Sequence, residues 1–327
     1  MAYFSPGHGT TSRLLGAAVV CCALSGCAAS AAKAPEDPAR ARAEALKKLS
    51  PARIMEAADQ AARRGQYDRA MSMYMQAIEV EPSADLWFRV GWIYATLGKK
   101  QLAAQAFAMT VKYDPRNARA HEELGLFYIE SKQDEQGAVH LRQAIEIEPG
   151  QWRSHNALGL LADAAGDHAT AIGHYATALA FLPDSALLLN NLGYSHYTAG
   201  ELDEAERMYA QALVAEPGFP PAMANMGLLH ARRGDYSRAI EIMSAAMEPS
   251  RAYNDVGYIA FKNGDLEAAE ALLSEAIILS PSHYETAQQN MRRVRRAQQM
   301  KKEALLSDVD GAQANAGQAA ATGTANR

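Results

Sequence analysis

The chain has 327 residues, 49% of them hydrophobic, and a formal net charge of −5 at pH 7. That apolar content can bury a long core, and the mild acidity argues against nucleic acid as a main partner. Its three cysteines, Cys21, Cys22 and Cys27, all lie near the amino terminus, so the rest of the chain has no thiol for a disulfide, a metal or a nucleophile.

Arg13 precedes an apolar run from Leu14 to Ala23. The run is too short to cross a bilayer as a helix but suits the core of a signal peptide. It ends in Leu24-Ser25-Gly26-Cys27, which resembles a bacterial lipobox: small residues before the cut, then a cysteine that becomes the lipid-modified terminus. The resemblance implies a signal peptide over 1–26 and lipidation of Cys27. The plainer alternative is an apolar cysteine beside a secretory cleavage site. Ala28, not aspartate, follows Cys27. In Gram-negative lipoproteins that resembles the default sending the chain to the outer membrane, so the expected location is its periplasmic face. Each buried acyl CH2 contributes about 0.8 kcal/mol to such an anchor. Residues 27–50 then form a tether rich in alanine, proline and charge, about 25–30 Å across as a flexible coil.

From 51 to 283 one pattern repeats. Prolines stand at Pro82, Pro115, Pro149, Pro183, Pro217, Pro249 and Pro281, at intervals of 33, 34, 34, 34, 32 and 32. Glycines recur in register at Gly91, Gly125, Gly159, Gly193, Gly227 and Gly257, and a second set includes Gly98, Gly166 and Gly200. Alanines such as Ala171, Ala205 and Ala239 fall between. Apolar residues at helical spacing predict two amphipathic helices per unit. The first glycine and the alanines mark where paired helices approach closely. The second glycine ends the first helix in the left-handed conformation. Asp167, Asp235 and Asp265 are placed to cap the next helix, and proline stops it. The sixth unit is short, so its second helix is expected to end about half a turn early.

These residues, best in Trp87, Val90, Gly91, Tyr94, Ala103, Phe107 and Pro115, resemble the tetratricopeptide repeat, a 34-residue helix–turn–helix unit. The implied fold is all-α: a superhelical solenoid of about seven repeats. The first unit has Ala58 where a glycine is expected. The third has Lys132 for the turn glycine and Gly137 for the first alanine.

Beyond the array, residues 284–306 predict a basic capping helix, apolar at Met291 and Val294, that covers the last repeat. Arg292, Arg293, Arg295, Arg296, Lys301 and Lys302 either solubilise that helix or form a docking site for an acidic partner or anionic lipid. The composition of 307–327 predicts disorder.

Enzyme chemistry is not legible. His121-Glu122-Glu123-Leu124-Gly125 lacks the second histidine of a zinc-protease motif, and Gly98-Lys99-Lys100 lacks the glycine spacing of a phosphate loop. His121, His155, His196 and His230 fall on packing positions of the repeat. The expectation is no enzyme, no cofactor and no metal. Binding of protein partners is the better destination, because the first helices of such an array line a concave face. The groove residues expected there are Trp92, Asn156, Asn190, Tyr194, Tyr197, Arg251, Asn254 and Tyr258, with Phe88, Arg153 and Phe261 beside them. Rings beside amides suit an extended peptide, although half of these positions could instead pack against the neighbouring helix. Asn191 and Asn225 are read as structural.

Asn190-Asn191-Leu192-Gly193-Tyr194, the short sixth unit, Ala252-Tyr253-Asn254-Asp255-Val256-Gly257-Tyr258, and Leu279-Ser280-Pro281-Ser282-His283-Tyr284 together resemble the TadD family. These are the TPR lipoproteins of Tad (tight adherence, Flp pilus) systems. The resemblance covers roughly the C-terminal third. It implies a scaffold or pilotin for the outer-membrane secretin of a type IVc pilus. The rival is another envelope TPR lipoprotein assisting type IV pili, outer-membrane protein insertion or a cell-wall enzyme.

Overall fold

The computed structural model describes residues 50–280 and 285–323. The expected signal peptide, Cys27 and nearly all of the tether lie outside the described residues, as do positions 281–284. Fourteen helices pair into seven hairpins: α1 (Pro51–Arg63) with α2 (Tyr67–Val80), α3 (Ala84–Thr96) with α4 (Lys100–Tyr113), α5 (Ala118–Glu130) with α6 (Asp134–Ile147), α7 (Trp152–Ala164) with α8 (His168–Phe181), α9 (Ala186–Ala199) with α10 (Leu202–Ala215), α11 (Pro220–Arg232) with α12 (Tyr236–Ser244), and α13 (Pro249–Lys262) with α14 (Leu266–Ile278). A final helix, α15 (Glu285–Gly323), follows. No strand occurs among the described residues. Each hairpin packs on the next, and α15 packs on both helices of the last one.

The recurring residues have the packing roles that their spacing predicts. Gly193 lies against the ring of buried Tyr209; a Cβ on Gly193 would sit 2.7 Å from ring carbons. The alanines at Ala171, Ala205 and Ala239 are fully buried where the two helices of a hairpin cross. Asp167, Asp235 and Asp265 accept from the backbone N–H three residues on at 3.1–3.2 Å. Each thereby satisfies a helix N-terminal donor that would otherwise be orphaned. Three caps on first helices were not read from the sequence: Ser83, Asn117 and Ser185 do the same for α3, α5 and α9.

The departures also have reasons. Lys132, standing where other units have glycine, takes the left-handed conformation at φ 62°. Gly137 leaves room for Ile129, whose Cγ1 would lie 2.6 Å from an added Cβ. Where the first unit has Ala58 in place of glycine, the neighbouring Asp59 accepts a hydrogen bond from the Tyr74 hydroxyl.

Two expectations need correction. The second helix of the sixth unit, α12, has 9 residues against 13 or 14 in its counterparts, a loss greater than half a turn. Pro249 does not stand in the loop as Pro183 does but opens α13 at the first helical position, where a missing N–H is harmless, and α12 has already ended at Ser244. The last helix also extends past 306, to Gly323, through the segment whose composition predicts disorder. That stretch contains no proline, and its alanines, the best helix formers, offset Gly311 and Gly317 in a helix already begun.

Candidate protein-binding face

The odd-numbered helices α1 to α13 each pack against their hairpin partner, and from α5 to α13 also against the neighbouring odd helices, leaving one side to solvent. On α3 the open side carries Asp85, Trp92 and Thr96; on α7, Leu160 and Ala164; on α9, Leu187 and Tyr194. Trp92, Leu160 and Tyr194 are large apolar side chains exposed by 49%, 49% and 45%. They occupy one register of the repeat, two periods and one period apart. Trp92 meets Tyr67 edge-on at 6.4 Å between centroids. Leu160 was not anticipated from sequence, although counting 34 residues back from Tyr194 reaches it.

The other expected groove residues divide. Tyr197 is half-buried; the Arg232 guanidinium stands 5.0 Å over its ring and donates to its carbonyl at 2.8 Å. Tyr258 is half-buried beside Phe261 at 6.5 Å. Arg251 is exposed, 3.7 Å from Asp255. Phe88 turns inward onto Phe107. Arg153 is held by Glu122 at 3.0 Å and Glu123 at 2.6 Å.

The asparagines are not free donors. Asn190 is only 6% exposed; its Oδ1 accepts from Asn225 Nδ2 at 2.9 Å and its Nδ2 donates to Asn191 Oδ1 at 3.3 Å. Asn191 Nδ2 in turn donates to Asn156 Oδ1 at 2.9 Å. Asn254, 4% exposed, accepts from Asn290 Nδ2 at 3.0 Å and donates to Asp255 at 2.9 Å. These amides join consecutive odd helices, which accounts for Asn191 and Asn225 as structural residues and takes Asn190 and Asn254 out of the groove. A buried amide without partners is costly, and each satisfies another. The open face is therefore more apolar than the sequence suggests.

Buried polar links of other kinds repeat the theme. Glu122 accepts from the Ser154 N–H at 3.1 Å and its hydroxyl at 2.9 Å. Burial pushes the Glu122 carboxyl up, while Arg153 and Ser154 pull it back. Burial likewise raises Asp255 against the opposing pull of Asn254 and Arg251. His121 and His155 are buried, as packing positions should be, but each faces a second histidine. His121 Nδ1 lies 3.0 Å from His140 Nδ1, and His155 Nδ1 lies 3.1 Å from His174 Nδ1. Nε2 of His121 reaches the Pro115 carbonyl at 3.1 Å and that of His155 the Pro149 carbonyl at 3.2 Å. A carbonyl only accepts, so both Nε2 atoms carry protons, and in the neutral ring each Nδ1 then accepts from its partner imidazole. Among the described residues no three His, Cys, Asp or Glu side chains converge as metal ligands.

Paired helices of this length, stacked at this period with an exposed apolar row, define a solenoid scaffold for protein interactions. The sequence profile described as Tetratricopeptide repeat matches residues 55–111, 135–186, 190–251 and 244–284, and the chain belongs to that family. No curated protein sequence matches significantly. Among solved structures, the C-terminal part of a TPR repeat-containing protein from Cytophaga hutchinsonii is 15% identical, with 71% of this chain and 97% of that one covered at a TM-score of 0.53. A tetratricopeptide repeat protein from Parabacteroides merdae is 18% identical, covering 75% and 98% at 0.52. PilW, described as a widely conserved type IV pilus biogenesis factor, is 20% identical, covering 64% and 97% at 0.51. At these identities the similarity is one of fold.

Proposed function

We propose that this chain is an outer-membrane-anchored TPR scaffold, pilotin-like in its work, which holds protein partners during assembly of a Tad/Flp pilus, the secretin foremost. The observation that carries the binding role is the exposed row Trp92, Leu160 and Tyr194 on the open side of the odd helices. Large apolar side chains left in water in one register suit a polypeptide surface. The anchor rests on Leu24-Ser25-Gly26-Cys27, and the Tad assignment on the motifs from Asn190 to Tyr194 and from Ala252 to Tyr258. PilW works in type IV pilus biogenesis, and this reading assigns the present chain to related work on a different pilus.

Crosslinking in intact envelopes followed by recovery of this chain tests the role. Secretin among the captured proteins, lost in the Trp92→Ala/Tyr194→Ala variant, is the expected result. Capture of a cell-wall enzyme or an outer-membrane insertion factor, with no secretin, would move the chain to another assembly pathway. Cys27→Ser should release the protein from outer-membrane fractions; retention there would rule out lipidation as the anchor.

A further inference from the structure

We infer that the outer face of α15, with the exposed apolar end of α14, is a docking surface for an anionic phospholipid membrane. The argument is independent of the groove. Toward the last repeat α15 presents Ala287, Asn290, Met291 and Val294, all buried. At 3.6 residues per turn, Arg292, Arg293, Arg295 and Arg296 fan across the opposite side, and all four are exposed. No carboxylate occurs between Glu285 and Glu303. Arg295 makes a long contact with Glu270 at 3.4 Å, while Arg292 and Arg296 have no ion pair among the described residues. The chain as a whole is acidic, so this basicity is local.

Beside the arginines, Ile278 is exposed by 73% and Leu279 by 42%. An open groove of about 440 Å³ lies between the two helices, lined by Ile277, Ile278 and Met291 together with Arg292 and Arg295. Guanidinium groups next to exposed aliphatic side chains match the boundary of a bilayer, phosphates above and acyl carbons below. An acidic polypeptide fits less well. Recognising one calls for donors that converge from facing walls, whereas these diverge over a convex helix and suit a plane of charge.

The test uses residues 28–327, so that neither the apolar run of 14–23 nor an acyl anchor can mask the effect, and vesicles of phosphatidylcholine with or without about one-third phosphatidylglycerol. The chain should partition onto the anionic vesicles and far less onto the neutral ones, and high salt should abolish the difference. Each arginine near such a surface contributes about fivefold, so Arg292→Ala/Arg296→Ala should weaken binding by about 25-fold. Ile278→Ser should weaken it severalfold at unchanged charge. Circular dichroism melts confirm that the variants fold, and the salt titration of the unsubstituted chain needs no variant. Equal binding to both vesicle types, indifference to salt, or unaltered binding by the arginine variant would overturn the proposal. So would polyglutamate that binds as tightly as the vesicles and ignores Ile278→Ser, since that would mark an acidic-protein site.

Discussion

Asn290 Nδ2 donates to Asn254 Oδ1 at 3.0 Å, joining the capping helix to the seventh repeat by the same kind of amide link that Asn225 makes to Asn190 at 2.9 Å. The link spans 36 residues in one case and 35 in the other. The end of the array is therefore fastened as its middle is. Removing one member leaves a buried amide unsatisfied, at a cost of about 1–3 kcal/mol. Asn254→Ala should therefore loosen α15 first. Amide hydrogen exchange should show lost protection over 285–300 with little change in α1 to α6. Asn254→Leu/Asn290→Leu should cost less than the two single changes added together.

The contact of Gly193 with Tyr209 sets a second expectation. Gly193→Ala would place a methyl 2.7 Å from the ring, and overpacking of this kind typically costs about 1–3 kcal/mol. In the same register a Cβ on Gly125 would lie 2.6 Å from Leu141, so a leucine at 209 would relieve no crowding. With the ring itself removed, Gly193→Ala should cost less in a Tyr209→Ala background than in the unsubstituted chain, a non-additivity visible in paired urea melts.

Acid should destabilise the third and fourth repeats. Burial, with the neighbouring His121, holds His140 below its ordinary value; burial lowers His155; burial, His155 and Arg142 lower His174. Each folded pKa is thus below an unfolded value of about 6.5, so folding favours the neutral ring. Stability is complete above that value and declines as pH falls through it, because the unfolded chain takes up protons first. Melting temperature should drop between pH 7.5 and 5, and His140→Gln/His174→Gln should flatten that slope. A slope unchanged by the double substitution would place the acid sensitivity elsewhere.

Substitution of the exposed row should separate binding from folding. Tyr194→Ala should change stability by less than about 0.5 kcal/mol, whereas Trp92→Ala also removes the edge contact with Tyr67 and should cost about 0.5–1.5 kcal/mol, leaving the chain folded in both cases. Partner affinity should fall tenfold or more if either residue is an interface anchor. The Asn191→Ala variant gives the contrast: its amide bonds to Asn156, so stability should fall, with any loss of affinity following from it.

The repeat was legible because its residues answer to local or one-period constraints. Asp167, Asp235 and Asp265 cap the helices that directly follow them, and Gly200 closes α9 at φ 89°. A residue's own neighbours decide such roles. Pro249 was misjudged because a proline both ends one helix and begins another, and only the neighbouring geometry chooses. The tail past 306 was misjudged because composition says little about a helix that α15 has already nucleated.

What the amino-acid order by itself determined is the array: seven hairpins, their period, the aspartate caps at Asp167, Asp235 and Asp265, and a terminal helix with Met291 and Val294 facing inward. Only the tertiary structure decided which polar side chains on the odd helices remain free. Asn190 and Tyr194 lie one helical turn apart, yet the first is buried against Asn225 while the second stands in water. That outcome depends on how far each helix rotates against the next. Rotation is set by packing between side chains some 35 positions apart, which a period in sequence fixes in spacing but not in angle.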